Sequence, residues 1–108
     1  MRQIGPKELA GLLGAGENVY LLDVREPWEH ETARLPGSVL VPLGEIASRS
    51  DEIAPPEGAL VVAYCHHGVR SLSAASILEH QLGIENVASL AGGIDAWSRE
   101  IDPQVPRY

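Results

Sequence analysis

Leu60-Val61-Val62-Ala63-Tyr64-Cys65-His66-His67-Gly68-Val69-Arg70-Ser71-Leu72 is the stretch on which the fold turns. Its first part, Leu60 to Tyr64, is a short apolar run rich in β-branched residues, as expected of a strand buried on both faces of a parallel sheet. From Ser71 to Leu82 the period changes. Leu72, Ala75, Leu78 and Leu82 recur three and four residues apart and predict a helix packed along one side. Between strand and helix lie a cysteine, a glycine and an arginine. In an open parallel sheet, ligands bind at the carboxyl ends of strands. A loop leading from strand to helix also aims N–H groups and a helix N-terminus at one point, which favours an anion. Cys65 opens that loop, so its thiolate is expected to be stabilised by those donors and by Arg70.

Working outward, strands alternate with helices. Pro6 to Leu13 reads as a helix with proline in its first turn, ended by Gly14 and Gly16. Asn18 to Val24 reads as a strand, Glu26 to Thr32 as a short helical turn, and Leu35-Pro36-Gly37-Ser38 as a turn before a short strand, Val39 to Val41. Leu43 to Ile53 is predicted to be a helix, and Pro55-Pro56-Glu57-Gly58 a loop into the central strand. Beyond the Cys65 loop and its helix, Gly83 is expected to cap, Asn86 to Leu90 to form a strand, and Gly93 to Ile101 a helix. Asp102 to Tyr108 reads as an extended, proline-bearing tail. This alternation predicts an α/β fold with a central parallel sheet covered by helices on both faces.

The 108 residues suit one domain spanning 1–108, and 44% apolar residues can fill one core without disulfides. A single cysteine cannot pair within the chain, which suits a reducing compartment and leaves the thiol free for chemistry. Met1-Arg2-Gln3-Ile4-Gly5-Pro6 lacks the apolar core of a signal peptide, and no apolar stretch is long enough to span a bilayer. A cytoplasmic protein with no membrane partner is expected. The net charge of −7, with no basic cluster, argues against nucleic acid as a partner.

Four segments in order carry a family resemblance. Cys65-His66-His67-Gly68-Val69-Arg70-Ser71 resembles the active-site loop of the rhodanese family of sulfurtransferases. Leu22-Asp23-Val24-Arg25-Glu26 resembles the family's Asp-Val-Arg strand end, Leu35-Pro36-Gly37-Ser38-Val39 its Pro-Gly turn, and Leu90-Ala91-Gly92-Gly93-Ile94-Asp95-Ala96-Trp97 its Gly-Gly-x-x-x-Trp motif. The likeness runs from about Ile4 to Tyr108. It implies the family's three-layer sandwich, and it implies that Cys65 is the nucleophile. In that role Cys65 takes a sulfane sulfur from thiosulfate or a persulfide and passes it to cyanide or a thiol, in two half-reactions with ping-pong kinetics.

The other loop residues, His66, His67, Gly68, Val69, Arg70 and Ser71, are expected to bind the anion. The resemblance gives Arg70 the task of holding the loop and offsetting its negative charge, with a surface salt bridge as the plainer alternative. Gly68 answers to a backbone requirement, either a positive φ or a close approach. Several family members carry a basic residue after the cysteine. The resemblance implies that His66 assists an anionic donor there, with a charge that depends on pH. Two adjacent histidines, one cysteine and no fourth ligand at usable spacing make a poor zinc site, so no metal and no cofactor are expected. Asp23 and Arg25, at a strand's carboxyl end, are expected to support the rim through an ion-pair network with Glu26, Glu29 or Glu31. Arg34 falls where the family often has histidine and is read as structural or at the rim. Trp97 and Leu90 are read as core.

The expected partners are therefore a small sulfur donor and a thiol or cyanide acceptor, with a protein acceptor also open. One rival is a persulfide carrier or redox-sensing module acting with a partner protein. Another is a phosphatase or arsenate reductase, since cell-cycle phosphatases share the fold and a Cys-loop-Arg arrangement. Those enzymes resemble Cys, five residues, Arg, whereas four residues separate Cys65 from Arg70.

Overall fold

A computed structural model describes residues 2–108. Met1, the first residue of the expected 1–108 domain, lies outside the described residues. The strands are β1 (Arg2–Ile4), β2 (Val19–Asp23), β3 (Val39–Leu40), β4 (Leu60–Tyr64) and β5 (Val87–Leu90). All pair in parallel, in the spatial order β1-β5-β4-β2-β3. The helices are α1 (Pro6–Gly14), α2 (Pro27–Thr32), α3 (Val69–His80) and α4 (Gly93–Glu100).

β4 is central, and all five of its residues are buried. Its alternation feeds two cores. Leu60, Val62 and Tyr64 join Leu9 of α1 and Ile94 and Trp97 of α4 on one face. Val61, Ala63 and the adjoining Cys65 join Ala74, Ala75 and Leu78 of α3, with Ile46 and Ile53, on the other. Burying each of these larger side chains contributes about 1.5–3 kcal/mol, so register errors in β4 would empty both cores at once. The result is the three-layer sandwich: helices, sheet, helices.

Where the structure departs from the sequence reading, local chemistry explains it. The helix expected over Leu43 to Ile53 is two 3₁₀ turns, Leu43–Glu45 and Ser50–Glu52. Ser48 donates its hydroxyl to the Glu45 carbonyl at 3.2 Å, an alternative to continuing the helix that serine offers readily. β1 was not anticipated. It is three residues long and buries only Ile4, too little for a period to emerge. Helix α3 starts at Val69, two residues before the apolar spacing begins, and buries Ser71, Ala74, Ala75 and Leu78, while Leu72 and Leu82 are only half-buried. The C-cap of α3 is Gln81, and Gly83 lies two residues beyond it. The tail does not simply trail away. Val105 is buried in the core beside α4, and Ser98 donates to its carbonyl at 2.5 Å.

The Gly92-Gly93 pair brings α4 against the Cys65 loop. Gly92 and Gly93 both have positive φ, +76° and +62°. The N–H groups of Ile94 and Asp95 then donate to the carbonyls of Cys65 (2.9 Å) and His66 (3.1 Å). A Cβ on Gly93 would collide with those same two carbonyl oxygens, which are backbone and cannot swing aside. Gly93→Ala is expected to cost on the order of 3 kcal/mol, lowering Tm by roughly 15 °C in a thermal melt. A loss of less than about 1 kcal/mol would show that the helix does not depend on this approach.

Candidate active site

Cys65 follows directly on β4, and its side chain is 1% exposed. The turn into α3 folds its N–H groups back over the sulfur. Gly68 N–H donates to Sγ at 3.1 Å and Ser71 N–H at 3.4 Å. Ser71 Oγ lies 3.6 Å from Sγ and is itself tied to Ser89 Oγ of β5 (2.7 Å) and to the Gly68 carbonyl (3.2 Å). Gly68, the N-cap of α3, has φ +102°, and a Cβ there would meet Gly92 N at 3.0 Å. Both a left-handed conformation and a close approach therefore require glycine. Donors above the sulfur and outward-turned loop carbonyls make a cradle suited to negative charge on sulfur.

Arg70 pairs with a carboxylate. Its guanidinium forks onto Glu29 of α2, at 2.6 and 2.9 Å. Glu29 is 3% exposed and also accepts from Glu26 N–H (3.0 Å) and from the Tyr108 hydroxyl (2.7 Å). The Arg70 fork outweighs burial and holds the Glu29 carboxyl down at about 2. The same fork raises the Arg70 guanidinium above its ordinary value.

Asp23 and Arg25 lie beneath the rim, each 0% exposed. Their partners differ from the glutamates expected. Arg25 Nε and Nη2 reach Asp23 Oδ1 and Oδ2 at 2.8 and 2.7 Å, Nη2 also donates to the Ala33 carbonyl, and Nη1 donates to Tyr108 Oη at 2.7 Å. Asp23 Oδ2 also faces His30 Nδ1 at 2.7 Å. Burial opposes the Arg25 charge, but the bonds to Asp23 and Tyr108 more than reverse this and raise its pKa. Asp23 therefore needs no further cation. Arg34 is exposed, and Trp97 and Leu90 are buried in the core.

His66 and His67 stack on each other, with ring centroids 4.0 Å apart, and the opposite neighbour of His66 is Tyr108, also at 4.0 Å. Burial, and then His67, lower the His66 pKa. Asp95 brings a carboxylate within 4.8 Å of both imidazoles, yet its two oxygens each accept from an arginine, Arg99 and Arg107, at 3.1 Å. The two imidazoles lie face to face rather than converging by their edges. Concavities of about 210 and 270 Å³ lie away from Cys65, sharing Gly58 and Asn86. Neither is lined by Cys65 or by any residue of its loop.

Three contributors escaped the sequence reading: Glu29 as the partner of Arg70, Ser89 behind Ser71, and Tyr108. Glu29 had a signal, since Glu26 and Glu29 form a reciprocal capping box at the start of α2 that fixes the carboxylate's direction. A lone serine in a strand and a lone tyrosine in a tail carry none.

Fold and site define an α/β domain that holds its one cysteine under converging N–H groups at the carboxyl end of the central strand. The chain belongs to the rhodanese-like domain family, which matches residues 5–100. It is 36% identical over 99 residues to a protein of Allochromatium vinosum named "Sulfurtransferase", covering 92% of this chain and 90% of that one. It is 33% identical over 105 residues to the "Probable adenylyltransferase/sulfurtransferase MoeZ" of Mycobacterium tuberculosis, where the match covers 97% of this chain and 26% of the relative. Against several such curated relatives the chain spans only about a quarter to a third of their length. The crystal structure of a rhodanese-related protein from Thermoplasma volcanium superposes with a TM-score of 0.80 at 30% identity, covering 94% of each chain.

The Glu29–Arg70 fork generates a stability test. The Glu29 carboxyl titrates lower in the folded chain than in the unfolded one. Its contribution is therefore present above the ordinary carboxylate range and is lost as pH falls toward about 2. Arg70 is 36% exposed, which limits the gain to on the order of 2 kcal/mol. In urea unfolding, Glu29→Gln is expected to lose about that much at pH 7 and to show a shallower acid limb than the native chain. Parallel acid limbs would mean that the fork contributes nothing in solution.

Proposed function

We propose that the chain is a sulfurtransferase that carries a sulfane sulfur on Cys65. One observation carries the reading: two N–H groups, of Gly68 and Ser71, converge on the sulfur of the chain's one cysteine. In the first half-reaction the Cys65 thiolate attacks the outer sulfur of thiosulfate. The donor's S–S bond breaks and its electron pair leaves with sulfite, while a new S–S bond makes the Cys65 persulfide. In the second, cyanide or a thiolate attacks the outer sulfur, and the electron pair of that bond returns to Cys65. The donors to Sγ stabilise the thiolate that begins and ends the cycle. An organic persulfide enters the same scheme with a thiolate as leaving group. The lone thiol suits the cytoplasm or another reducing compartment.

The cradle suits sulfur better than phosphate. A phosphoryl group spreads charge over three equatorial oxygens and needs a cationic clamp. Here Arg70, the arginine of the loop, is committed in both arms to Glu29. Phosphate-ester hydrolysis is therefore expected to be negligible.

Mass spectrometry of the protein mixed with thiosulfate should find one added sulfur on Cys65, removable by cyanide. Cys65→Ser should abolish transfer from thiosulfate to cyanide while keeping the native circular dichroism spectrum. Transfer that survives in Cys65→Ser would sink the assignment. Cys65-dependent hydrolysis of an aryl phosphate at a comparable rate would replace it with the phosphatase reading.

A further inference from the structure

Tyr108 takes no part in the transfer steps, yet it touches Arg25, Glu29, Trp28 and His66. Its hydroxyl donates to Glu29 Oε2 at 2.7 Å and accepts from Arg25 Nη1 at 2.7 Å. Its ring lies against His66, with centroids 4.0 Å apart and planes 11° from parallel, and meets Trp28 edge-on at 5.8 Å. His66 in turn stacks on His67 at 4.0 Å and 24°. Tyr108, His66 and His67 thus form one stack of rings, met edge-on by Trp28, with both faces of the His66 imidazole covered.

We propose that Tyr108 is a specificity-determining residue of this site: by covering His66 with its ring, it biases the site toward an organic persulfide donor and against a small inorganic dianion. The proposal rests on the sulfur-transfer reading. Its basis is a charge inventory of the groups that face His66. These are His67 in the loop, Glu29 on α2, Arg70 on α3, Asp95 on α4 and Tyr108 in the tail. Arg70 is forked onto Glu29, and Asp95 is held by Arg99 and Arg107. Arg25, just beneath, is forked onto Asp23. Burial pushes the Tyr108 phenol up to about 12, so it stays neutral and cannot add charge. Burial also disfavours the charged form of His66, which leaves no permanent cation unpaired among these groups to meet a dianion. An organic persulfide brings at most one charge at its sulfur, and a body that can lie along aromatic rings. Its step balances without a further reactant: Cys65–S⁻ and R–S–SH give Cys65–S–SH and R–S⁻, one S–S bond breaking as another forms.

The test measures the donor half-reaction alone, as the rate of sulfur loading onto Cys65 followed by quenched mass spectrometry. Thiosulfate and benzyl persulfide are the two probes, and the native chain is compared with Tyr108→Ala and Tyr108→Phe. A parallel proton–carbon NMR titration follows the His66 imidazole. In Tyr108→Ala the thiosulfate-to-persulfide rate ratio should rise on the order of five-fold, the size of one water-screened unit charge, and the His66 midpoint should move upward. Tyr108→Phe keeps the ring, so it should restore the native ratio and midpoint. An unchanged ratio in Tyr108→Ala, or equal behaviour of Phe and Ala, would overturn the proposal alone. A native chain that loads sulfur from neither donor would overturn the sulfur-transfer reading and this proposal with it, while the His66 titration would still report whether Tyr108 covers the imidazole.

Discussion

The orientation of two peptide groups governs this molecule. The carbonyls of Cys65 and His66 point toward α4, where the N–H groups of Ile94 and Asp95 receive them. With those two carbonyls held by α4, the start of the turn is fixed, and the N–H groups of two later peptides, at Gly68 and Ser71, face the sulfur. A buried peptide must have both its polar ends satisfied. The end of β4, the start of α3 and the start of α4 therefore constrain one another. Gly68 and Gly93 lie where these elements come closest, and each would set a Cβ against neighbouring backbone if replaced. The geometry above the thiol is thus a property of the interlocked termini, and no single loop residue supplies it.

A second layer surrounds that cradle. The Arg70–Glu29 fork and the Asp23–Arg25 fork are joined through one phenolic oxygen, that of Tyr108. Glu29 has its oxygens filled by two arginine nitrogens, a backbone N–H and a hydroxyl. Such a network is costly to leave half-formed, because any missing partner strands a buried charge. It ties α2, the end of β2, the start of α3 and the tail into one rigid frame.

Much of this was legible in the sequence wherever a repeated physical signal existed. The run from Leu60 to Tyr64 declared a buried strand, and the change of period after Cys65 declared the helix that follows. Those two readings suffice to set Cys65 at a strand end facing a helix N-terminus. The misses share a cause. Leu43 to Ile53 has apolar residues at helical spacing, but Ser48 gives its hydroxyl to the Glu45 carbonyl nearby, and the chain settles into 3₁₀ turns. β1 shows no period because it buries one side chain. The pairing of Arg70 with Glu29 spans 41 residues and that of Tyr108 with Arg25 spans 83, and nothing local announces either. Patterns along a chain reveal elements; they do not reveal which charged tips meet once the elements are stacked.

The depth of the thiol has a bearing on the company it can keep. A disulfide needs its two Cβ atoms about 3.8 Å apart. Cys65 is 1% exposed, and the turn into α3 lies against its sulfur. A cysteine set in the broad face of another folded protein cannot come that near without dismantling the turn. Only a sulfur borne on a slender tip, whether a small molecule or a protruding chain end, can make the contact. Burial alone therefore guards the thiol against being trapped in chance mixed disulfides, and it does so without any residue dedicated to the task.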